Sequence, residues 1–264
     1  MNPAPLTKKV TIINKQKTTH SIAEHFIQFL QPHIALNDTL KVEAFKIRHN
    51  VYCEELAYED MRANGQETDE FDYRSTFSLI QHIESQHFTS CVRLVTSNSE
   101  SELLPIEKYC SSSITNKDFR PEAFARHEIG EISRLAVRSS FRRRKADNFK
   151  GCATGVISEI TYSETELRCF PFIAIGLYMS AAIMCMKQGI KHTYVMMEPR
   201  LARSMKFVGI NFKQLGPAVD YHGLRAPYYI KPTDFTAQLS PDFMKLYNII
   251  EKNISAQLSH TKHS

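Results

Sequence analysis

Six charged residues stand out because they lie within or beside apolar segments, where a charge is costly unless it has a partner. The run Cys-Val-Arg-Leu-Val at residues 91–95 predicts a strand that faces a core. We therefore expect Arg93 to pair with a carboxylate, and Asp69 and Asp72 are the natural candidates. Such a set of charges predicts a polar active site rather than a solvated surface. Its members are Arg48, Asp69, Asp72, Arg93, Glu131 and Arg134.

Each part of this set also has a structural interpretation. Asp69 and Asp72 could cap free backbone N–H groups of a loop or helix, and Glu131 with Arg134 could form a structural ion pair. His127 and His222 are expected to be surface or hydrogen-bonded histidines. The joint pattern is what favours a functional site.

The amino-acid composition restricts the class of protein to which the chain can belong. The chain has 264 residues, 42% hydrophobic and 23% charged, which is typical of a soluble globular protein with one substantial core. Much of the net charge of +5 is concentrated in one basic run, which indicates a local anionic partner rather than a nucleic-acid coat. The run comprises Arg142, Arg143, Arg144 and Lys145.

Cysteine and histidine spacing argues against metal and disulfide chemistry. The six cysteines form no C-x-x-C pair and no secretory leader precedes them, so we expect reduced thiols, none of them a nucleophile, in a cytoplasmic protein. His222, His260 and His263 do not have the spacing of metal ligands. We therefore expect no metal site and no bound cofactor.

One uncharged segment, residues 169–186, is just long enough to cross a membrane. Its Pro, Gly, Ser and Tyr residues lower its apolarity, and strand-like segments that need a packing partner follow it. We expect a buried core helix and no transmembrane segment, and we leave peripheral membrane contact open.

Hydrophobic periodicity predicts the elements that must position the charged residues. Helices are expected at residues 21–30, 40–56, 172–188 and 199–207, with one more after residue 233. Strands are expected at 76–83, 89–95, 129–137, 191–197 and 212–219, the first two forming a hairpin, with loops at 57–67 and 104–121. The order predicts a mixed α/β sheet with helices on both faces. Neither G-x-G-x-x-G nor G-x-x-x-x-G-K-[ST] occurs, so a dinucleotide fold is not expected.

In their order along the chain, these residues resemble the acyl-homoserine-lactone autoinducer synthases and the N-acyl amino acid synthases. The resemblance is carried by Arg48, Tyr52, Tyr58, Asp69, Asp72, Arg93 and segment 131–135. A closer resemblance, to acyltransferases associated with PEP-CTERM/exosortase systems, is carried by segments 47–55, 69–72, 133–138 and 197–199.

These families share the GNAT fold, so the resemblance implies a mixed, mostly antiparallel sheet with helices on both faces. We expect an N-terminal lead and helix at 1–37, a GNAT-like acyltransferase domain at 38–232, and a C-terminal helix and loose tail at 233–264. The implied activity is transfer of a fatty acyl group from a thioester to the amine of a small acceptor. The implied catalytic residues are Arg93, Glu131 and Arg134, and the implied substrate-binding residues are Arg48, Tyr52, Tyr58, Asp69 and Asp72.

Two departures from the families refine this expectation. The autoinducer synthases have a tryptophan where this chain has Tyr58, within the part that holds their S-adenosylmethionine, which favours a different amine such as an amino acid. Lys145 and Asp147 replace the glycines with which acetyl-CoA-using members bind pyrophosphate. The basic run at 142–145 instead suits a phosphopantetheine arm and an acidic carrier protein, so acyl carrier protein is favoured over CoA as donor.

The chemistry implied is thioester aminolysis, which needs a base and a donor for the developing oxyanion. Glu131 is the best base candidate, although a carboxylate with an ordinary pKa near 4 is a weak base and a water relay could replace it. Backbone N–H groups near residues 135–137 could stabilise the oxyanion. Alternatives are an autoinducer synthase, a non-catalytic acyl or acyl-carrier binding protein, and a nucleic-acid binder acting through residues 142–145.

Overall fold

The computed structural model describes residues 22–141 and 170–260, which contain six α-helices and eight strands. The helices are α1 (Ile22–Phe29), α2 (Asp38–Arg48), α3 (Pro105–Cys110), α4 (Phe170–Lys187), α5 (Pro199–Phe207) and α6 (Pro241–His260). The strands are β1 (Leu30–Ile34), β2 (Ser75–His82), β3 (Phe88–Thr96), β4 (Ile129–Val137), β5 (His192–Met197), β6 (Lys213–Gln214), β7 (Val219–Asp220) and β8 (Leu224–Ile230).

The strands form one mixed sheet in the order β1-β2-β3-β4-β5-β8-β6, with β7 paired to β8. Every described pairing is antiparallel except that of β4 with β5. These two strands pair only where Ile129–Glu131 face His192–Tyr194, and beyond that point they diverge. The sheet is therefore open between the C-terminal ends of its two central strands.

Helices cover both faces of the sheet, which confirms the expected mixed, mostly antiparallel sheet with helices on both faces. On one face α1, α4 and α6 form the main core with apolar residues of β1 to β5 and β8. On the other face α2 packs on β2 and β3, while α3 packs among buried residues of β3, β4, β5 and β8. The described helices thus sandwich the sheet between two apolar layers.

The uncharged segment forms α4, and its residues 172–185 are all buried. Burial on all sides explains why it carries no charge and has no polar face. At Gly176 a Cβ atom would lie 2.7 Å from the ring of Phe26, so glycine permits α1 to approach α4 closely. Among the described residues, no helix is both long and apolar enough to cross a bilayer.

Helix α2 brings Arg48 into the core. Asn37 begins the helix, its side-chain oxygen accepting a hydrogen bond of 3.0 Å from the Leu40 N–H. After Arg48 the chain continues as a π-helix over His49–Glu55, which carries Tyr52 on the same side of the sheet. Wide helical turns of this kind are frequent at functional sites.

Three parts of the predicted secondary structure are wrong. The edge strand β1 follows α1 directly and is missing from the prediction, because its sequence contains a proline and only five residues. In place of the strand predicted at 212–219, the structure has two short strands, β6 and β7. The strand beside β5 is β8, which was not predicted because it contains Pro227. The loop predicted at 104–121 contains α3, which buries Leu104 and Ile106.

Candidate active site

A buried ion network lies where α2 and the following π-helix face β3 and β4. Arg48 has no solvent exposure, and its Nε donates to Glu67 while its Nη1 donates to Asp72 at 2.7 Å. Arg93 is 1% exposed, and its Nη1 donates to Asp69 at 2.5 Å and to Asp72 at 2.7 Å. Two buried guanidinium groups therefore share Asp72, and Arg93 has both of the partners anticipated for it.

Arg134 adds a third guanidinium through an irregularity in β4. Opposite Val92, the strand contains two residues, Arg134 and Leu135, and Arg134 has a φ of 50°. Such a β-bulge re-aims a side chain, at the cost of a backbone conformation that non-glycine residues rarely adopt. Here it directs Arg134 Nη2 to Glu59 at 2.7 Å, to Glu67 at 3.2 Å and towards Asp69 at 3.4 Å. Within the described chain, the ion network thus comprises three arginines and four carboxylates.

Tyr52 stabilises the β-bulge of β4. Its hydroxyl donates a hydrogen bond of 2.9 Å to the Leu135 carbonyl oxygen, and the Arg134 guanidinium carbon lies 5.5 Å from the centre of its ring. Burial raises the pKa of the hydroxyl to about 12, so it remains a donor at neutral pH. A residue of the π-helix therefore stabilises the bulged backbone of β4.

The network determines the ionisation of its carboxylates. Burial alone would raise the pKa of Glu67, but the Arg48 and Arg134 guanidinium groups outweigh burial and hold its pKa below the usual value. The pKa of Asp69 is lowered in the same way, since Arg93 and Arg48 outweigh its burial. Both groups are charged at neutral pH.

Glu131 is the exception. Its side chain is 3% exposed, and burial raises its pKa to about 8, although a 2.6 Å hydrogen bond from the Ile106 N–H to Oε2 opposes the shift. No described cation forms a salt bridge with it, so Glu131 and Arg134 do not form the ion pair considered above. Glu131 therefore changes its protonation state near neutral pH, as a general base should.

A cavity of about 280 Å³ opens beside this network, and we call it the charged cavity. Its wall includes Glu59, Glu67, Asp69, Glu131, Arg62, Arg93, Ser133, Arg134, Arg225, Tyr52, Tyr58, Tyr109, Tyr221, Met196 and His222. Six of the eight predicted catalytic and substrate-binding residues line this cavity. The other two, Arg48 and Asp72, lie behind the wall, where Arg48 donates to Glu67 and Asp72 accepts from both Arg48 and Arg93.

A second, narrower space of about 50 Å³ lies between the diverging strands, and we call it the strand slot. It is lined by Glu198 and by six apolar or aromatic residues, together with residues shared with the charged cavity; the six are Ile132, Leu135, Tyr178, Val195, Met197 and Leu201. The shared residues are Tyr52, Ser133, Arg134, Met196 and Arg225. Helix α4 contributes Tyr178 to this slot, and β5 contributes Val195, Met196 and Met197.

Glu67, Glu59 and Arg225 are among the site residues that the sequence did not predict. Glu67 lies at the end of a polar segment and has no local sign of being only 1% exposed. Glu59 comes from the same segment. Arg225 belongs to the unrecognised strand β8, and the apolar residues that follow it, Ala226 to Ile230, were the available signal.

Several residues considered in the sequence are not among the described members of the ion network. Arg142, Arg143, Arg144 and Lys145 fall outside the described residues, as do Cys152 and Cys169. The four described cysteines are buried free thiols, and burial raises the pKa of Cys91 and Cys185 to about 12. The side chain of His127 is 72% exposed, whereas His222 lies in the wall of the charged cavity. The described residues contain no cluster of histidine, cysteine and carboxylate side chains arranged for a metal ion.

Comparison with known proteins agrees with this architecture. A family described as the acetyltransferase (GNAT) domain matches residues 47–149, which include every predicted site residue. No curated protein matches the chain by sequence. The domain match supports the acyltransferase class of enzyme and confirms the resemblance to GNAT proteins.

Solved structures of similar fold include three synthases. The acyl-homoserine lactone (AHL) synthase LasI is 15% identical, with 80% of this chain and 96% of that chain covered and a TM-score of 0.55. The CoA-dependent acyl-homoserine lactone synthase MesI is 16% identical, with 84% and 95% covered and a TM-score of 0.55. FeeM, an N-acyl amino acid synthase from uncultured soil microbes, is 13% identical, with 80% and 94% covered and a TM-score of 0.50. At these identities the likeness concerns the fold.

Proposed function

We propose that the protein is an N-acyltransferase that moves a fatty acyl group from an acyl thioester to the amine of a small acceptor, an amino acid. The observation that carries this proposal is the meeting of the charged cavity and the strand slot along one shared wall. One space is lined by charges and hydroxyls and the other mainly by apolar side chains. An amine and an acyl thioester bound in these two spaces would meet at that wall.

In the proposed reaction the neutral amine attacks the thioester carbonyl carbon, a C–N bond forms, and the C–S bond breaks. The ionised form of Glu131 takes a proton from the amine, directly or through water, and the leaving sulfur is released as a thiol after protonation. Glu131 suits this role because its raised pKa, about 8, brings its basicity close to neutral pH. Backbone N–H groups of the bulged part of β4 are proposed donors to the developing oxyanion.

The ion network is proposed to hold the wall of the acceptor cavity rigid. Arg48, Arg93 and Arg134 have carboxylate partners, so their charges are already compensated before substrate binds. In this proposal Tyr52 and Tyr58, with Asp69, complete the surface that the acceptor contacts, while Asp72 links two of the arginines. Fixed dipoles and charges of this kind need little reorganisation during reaction.

Acyl carrier protein is the donor we propose, on the strength of the basic run at residues 142–145. Acyl-CoA is the alternative, since MesI is described as CoA-dependent. The proposed location is the cytoplasm, and the association with PEP-CTERM/exosortase systems stays a prediction from sequence resemblance.

A second candidate is an acyl-homoserine lactone synthase, because LasI and MesI share the fold at TM-scores of 0.55. Tyr58 argues for an amino acid instead, since the autoinducer synthases resembled by the sequence have tryptophan there. The structure places Tyr58 in the wall of the charged cavity, where such a difference would meet the acceptor.

The test is to incubate the purified protein with acyl carrier proteins and acyl-CoAs of varied chain length, the twenty amino acids and S-adenosylmethionine. N-acyl amino acids detected by mass spectrometry would support the proposal, and acyl-homoserine lactones would support the second candidate. Glu131→Gln is expected to lower turnover about 100-fold or more, and Arg203→Met, which removes an exposed charge on α5, is the control. Unconsumed thioester in every combination, with folded protein, would instead indicate a binding role.

A further inference from the structure

Arg225 lies at the junction of the two spaces. It is the second residue of β8 and lines both the charged cavity and the strand slot. It is partly buried, and its guanidinium carbon lies 5.9 Å from the centre of the Tyr58 ring. The strand and the aromatic ring thus hold a cation at the position where donor and acceptor would meet.

Arg225 differs from the three arginines of the ion network in having no carboxylate partner among the described residues. Arg48, Arg93 and Arg134 each contact at least two carboxylates, whereas no described carboxylate lies within 4.0 Å of Arg225. Its Nε–H is buried and has no acceptor among the described residues. Buried donors are normally satisfied, so this guanidinium is suited to an anionic group of a ligand.

We propose that Arg225 binds the carboxylate of the acceptor, which restricts the acceptor to α-amino acids with a free carboxylate. This inference rests on the proposed function and names the residue that selects the acceptor. In an α-amino acid the amine and the carboxylate are attached to the same carbon. A carboxylate held at the junction therefore keeps the amine there too, next to the thioester in the strand slot.

The other anion of the reaction does not fit this position. The phosphate of a phosphopantetheine arm is separated from the thioester sulfur by the length of the arm, whereas Arg225 lines the slot where the thioester itself would lie. Arg62, the remaining arginine of the charged cavity, is exposed and is therefore a solvated cation at the rim. Arg225 is thus the better candidate for a carboxylate that must be close to the reacting carbon.

The experiment compares amino acids with the corresponding amino acid amides, which lack the negative charge. The wild-type enzyme is expected to acylate the acids with at least tenfold higher kcat/KM than the amides, because a charge-assisted hydrogen bond is worth that much. Arg225→Met should lower kcat/KM for the acids about 10- to 100-fold, mainly through KM, and leave the amides nearly unchanged. Arg225→Lys should restore part of the preference, and Arg203→Met should keep all of it.

Thermal unfolding of each variant shows that it is folded. Equal acylation of acids and amides by the wild type would overturn the carboxylate site while leaving the acyltransferase proposal intact. An equal fall in kcat for acids and amides in Arg225→Met would also overturn it, because Arg225 would then stabilise the oxyanion. Failure of the wild type to acylate either set would overturn the proposed function and this inference together.

Discussion

Two kinds of buried carboxylate lie within one site, and their partners determine their charge. Glu67 and Asp69 face guanidinium groups, which lower their pKa values despite burial. Glu131 receives one backbone hydrogen bond and has no ion-pair partner among the described residues, so burial dominates and raises its pKa to about 8. Opposite shifts in neighbouring carboxylates are typical of sites that separate a proton-transfer group from fixed charges.

The first prediction concerns the pH dependence of Glu131. The base is the ionised form and the attacking amine must be neutral, so kcat/KM for acyl transfer should rise with pH through two ionisations, that of Glu131 at about 8 and that of the acceptor amine. Glu131→Gln should lower the rate about 100-fold or more and remove the ionisation of Glu131, leaving only that of the acceptor amine. Exposed Glu70, which is outside the cavity wall, provides the control Glu70→Gln. A wild-type pH profile in Glu131→Gln would refute the assignment of Glu131 as base.

The second prediction concerns the buried partner of Arg48. Glu67→Ala leaves a fully buried guanidinium short of a carboxylate, which should lower the free energy of unfolding by about 3–5 kcal/mol at pH 7. Because the folded-state pKa of Glu67 is lowered, its contribution is complete above pH ~4.5 and is lost as pH falls through that lowered pKa.

Urea unfolding at several pH values tests this second prediction. The difference in free energy of unfolding between wild type and Glu67→Ala should become smaller at acidic pH. Replacement of exposed Glu54 by alanine is the control and should change stability by less than about 0.5 kcal/mol. A loss of similar size in both variants would show that Glu67 acts only as a surface charge.

At the scale of elements, two interruptions of regular structure form the site. The β-bulge of β4 turns Arg134 towards the carboxylates, and the short pairing of β4 with β5 opens the strand slot. Tyr52, from the π-helix, fixes the bulge through the Leu135 carbonyl. Regular strands in these positions would close the sheet and direct Arg134 elsewhere.

The third prediction concerns the packing of α4 on α1. Gly176→Ala improves helix propensity by about 1 kcal/mol, but its Cβ would lie 2.7 Å from the buried Phe26 ring and 3.1 Å from Ile80. We expect net destabilisation of about 1–3 kcal/mol, measured by urea unfolding.

The matched control for this contact is a double mutant. Phe26→Leu shortens the opposing side chain, so Gly176→Ala combined with Phe26→Leu should lose less stability than the sum of the two single losses. Strict additivity would show that Phe26 does not limit the space at Gly176.

At the scale of the whole molecule, the two halves of the sheet provide different parts of the proposed reaction. Helix α2, the segment at residues 59–72 and strands β3 and β4 carry the ion network, whereas β5 and β8 supply the opposite wall, including Arg225. The cavity and slot lie between them. The proposed acyl transfer therefore takes place where β4 and β5 diverge. The helices packed on both faces of the sheet stabilise this arrangement.

The fourth prediction concerns the basic run and the donor. Replacing Arg142, Arg143, Arg144 and Lys145 by alanine should lower kcat/KM with acyl carrier protein about tenfold at low salt, and less at high salt, where attraction is screened. Turnover of a small acyl thioester without a carrier protein is the internal control and should change little. An equal loss with both donors would contradict carrier docking by this run.

Much of the architecture could be predicted because it depends on local patterns. Strand β4 and helix α5 have the bounds expected from periodicity and from the Glu198-Pro199 signal, and α4 follows from an uncharged run of helical length. The pairing of Arg93 with Asp69 and Asp72 follows from the cost of an uncompensated charge in a buried strand. In these cases a residue's neighbours in sequence already indicate whether it is buried, and burial of a charge implies that it needs a partner.

The sequence by itself determined the charged residue set, the alternation of elements and the class of fold. Only the tertiary structure decided that Glu67 is a buried partner of both Arg48 and Arg134, that Glu131 has a raised pKa, and that Arg225 has no described carboxylate partner. The physical reason is distance along the chain: Glu67 and Arg134 are 67 residues apart, and their contact exists only once strands and helices have packed. Burial and partner choice arise from that packing, and they set charge, geometry and the proposed chemistry.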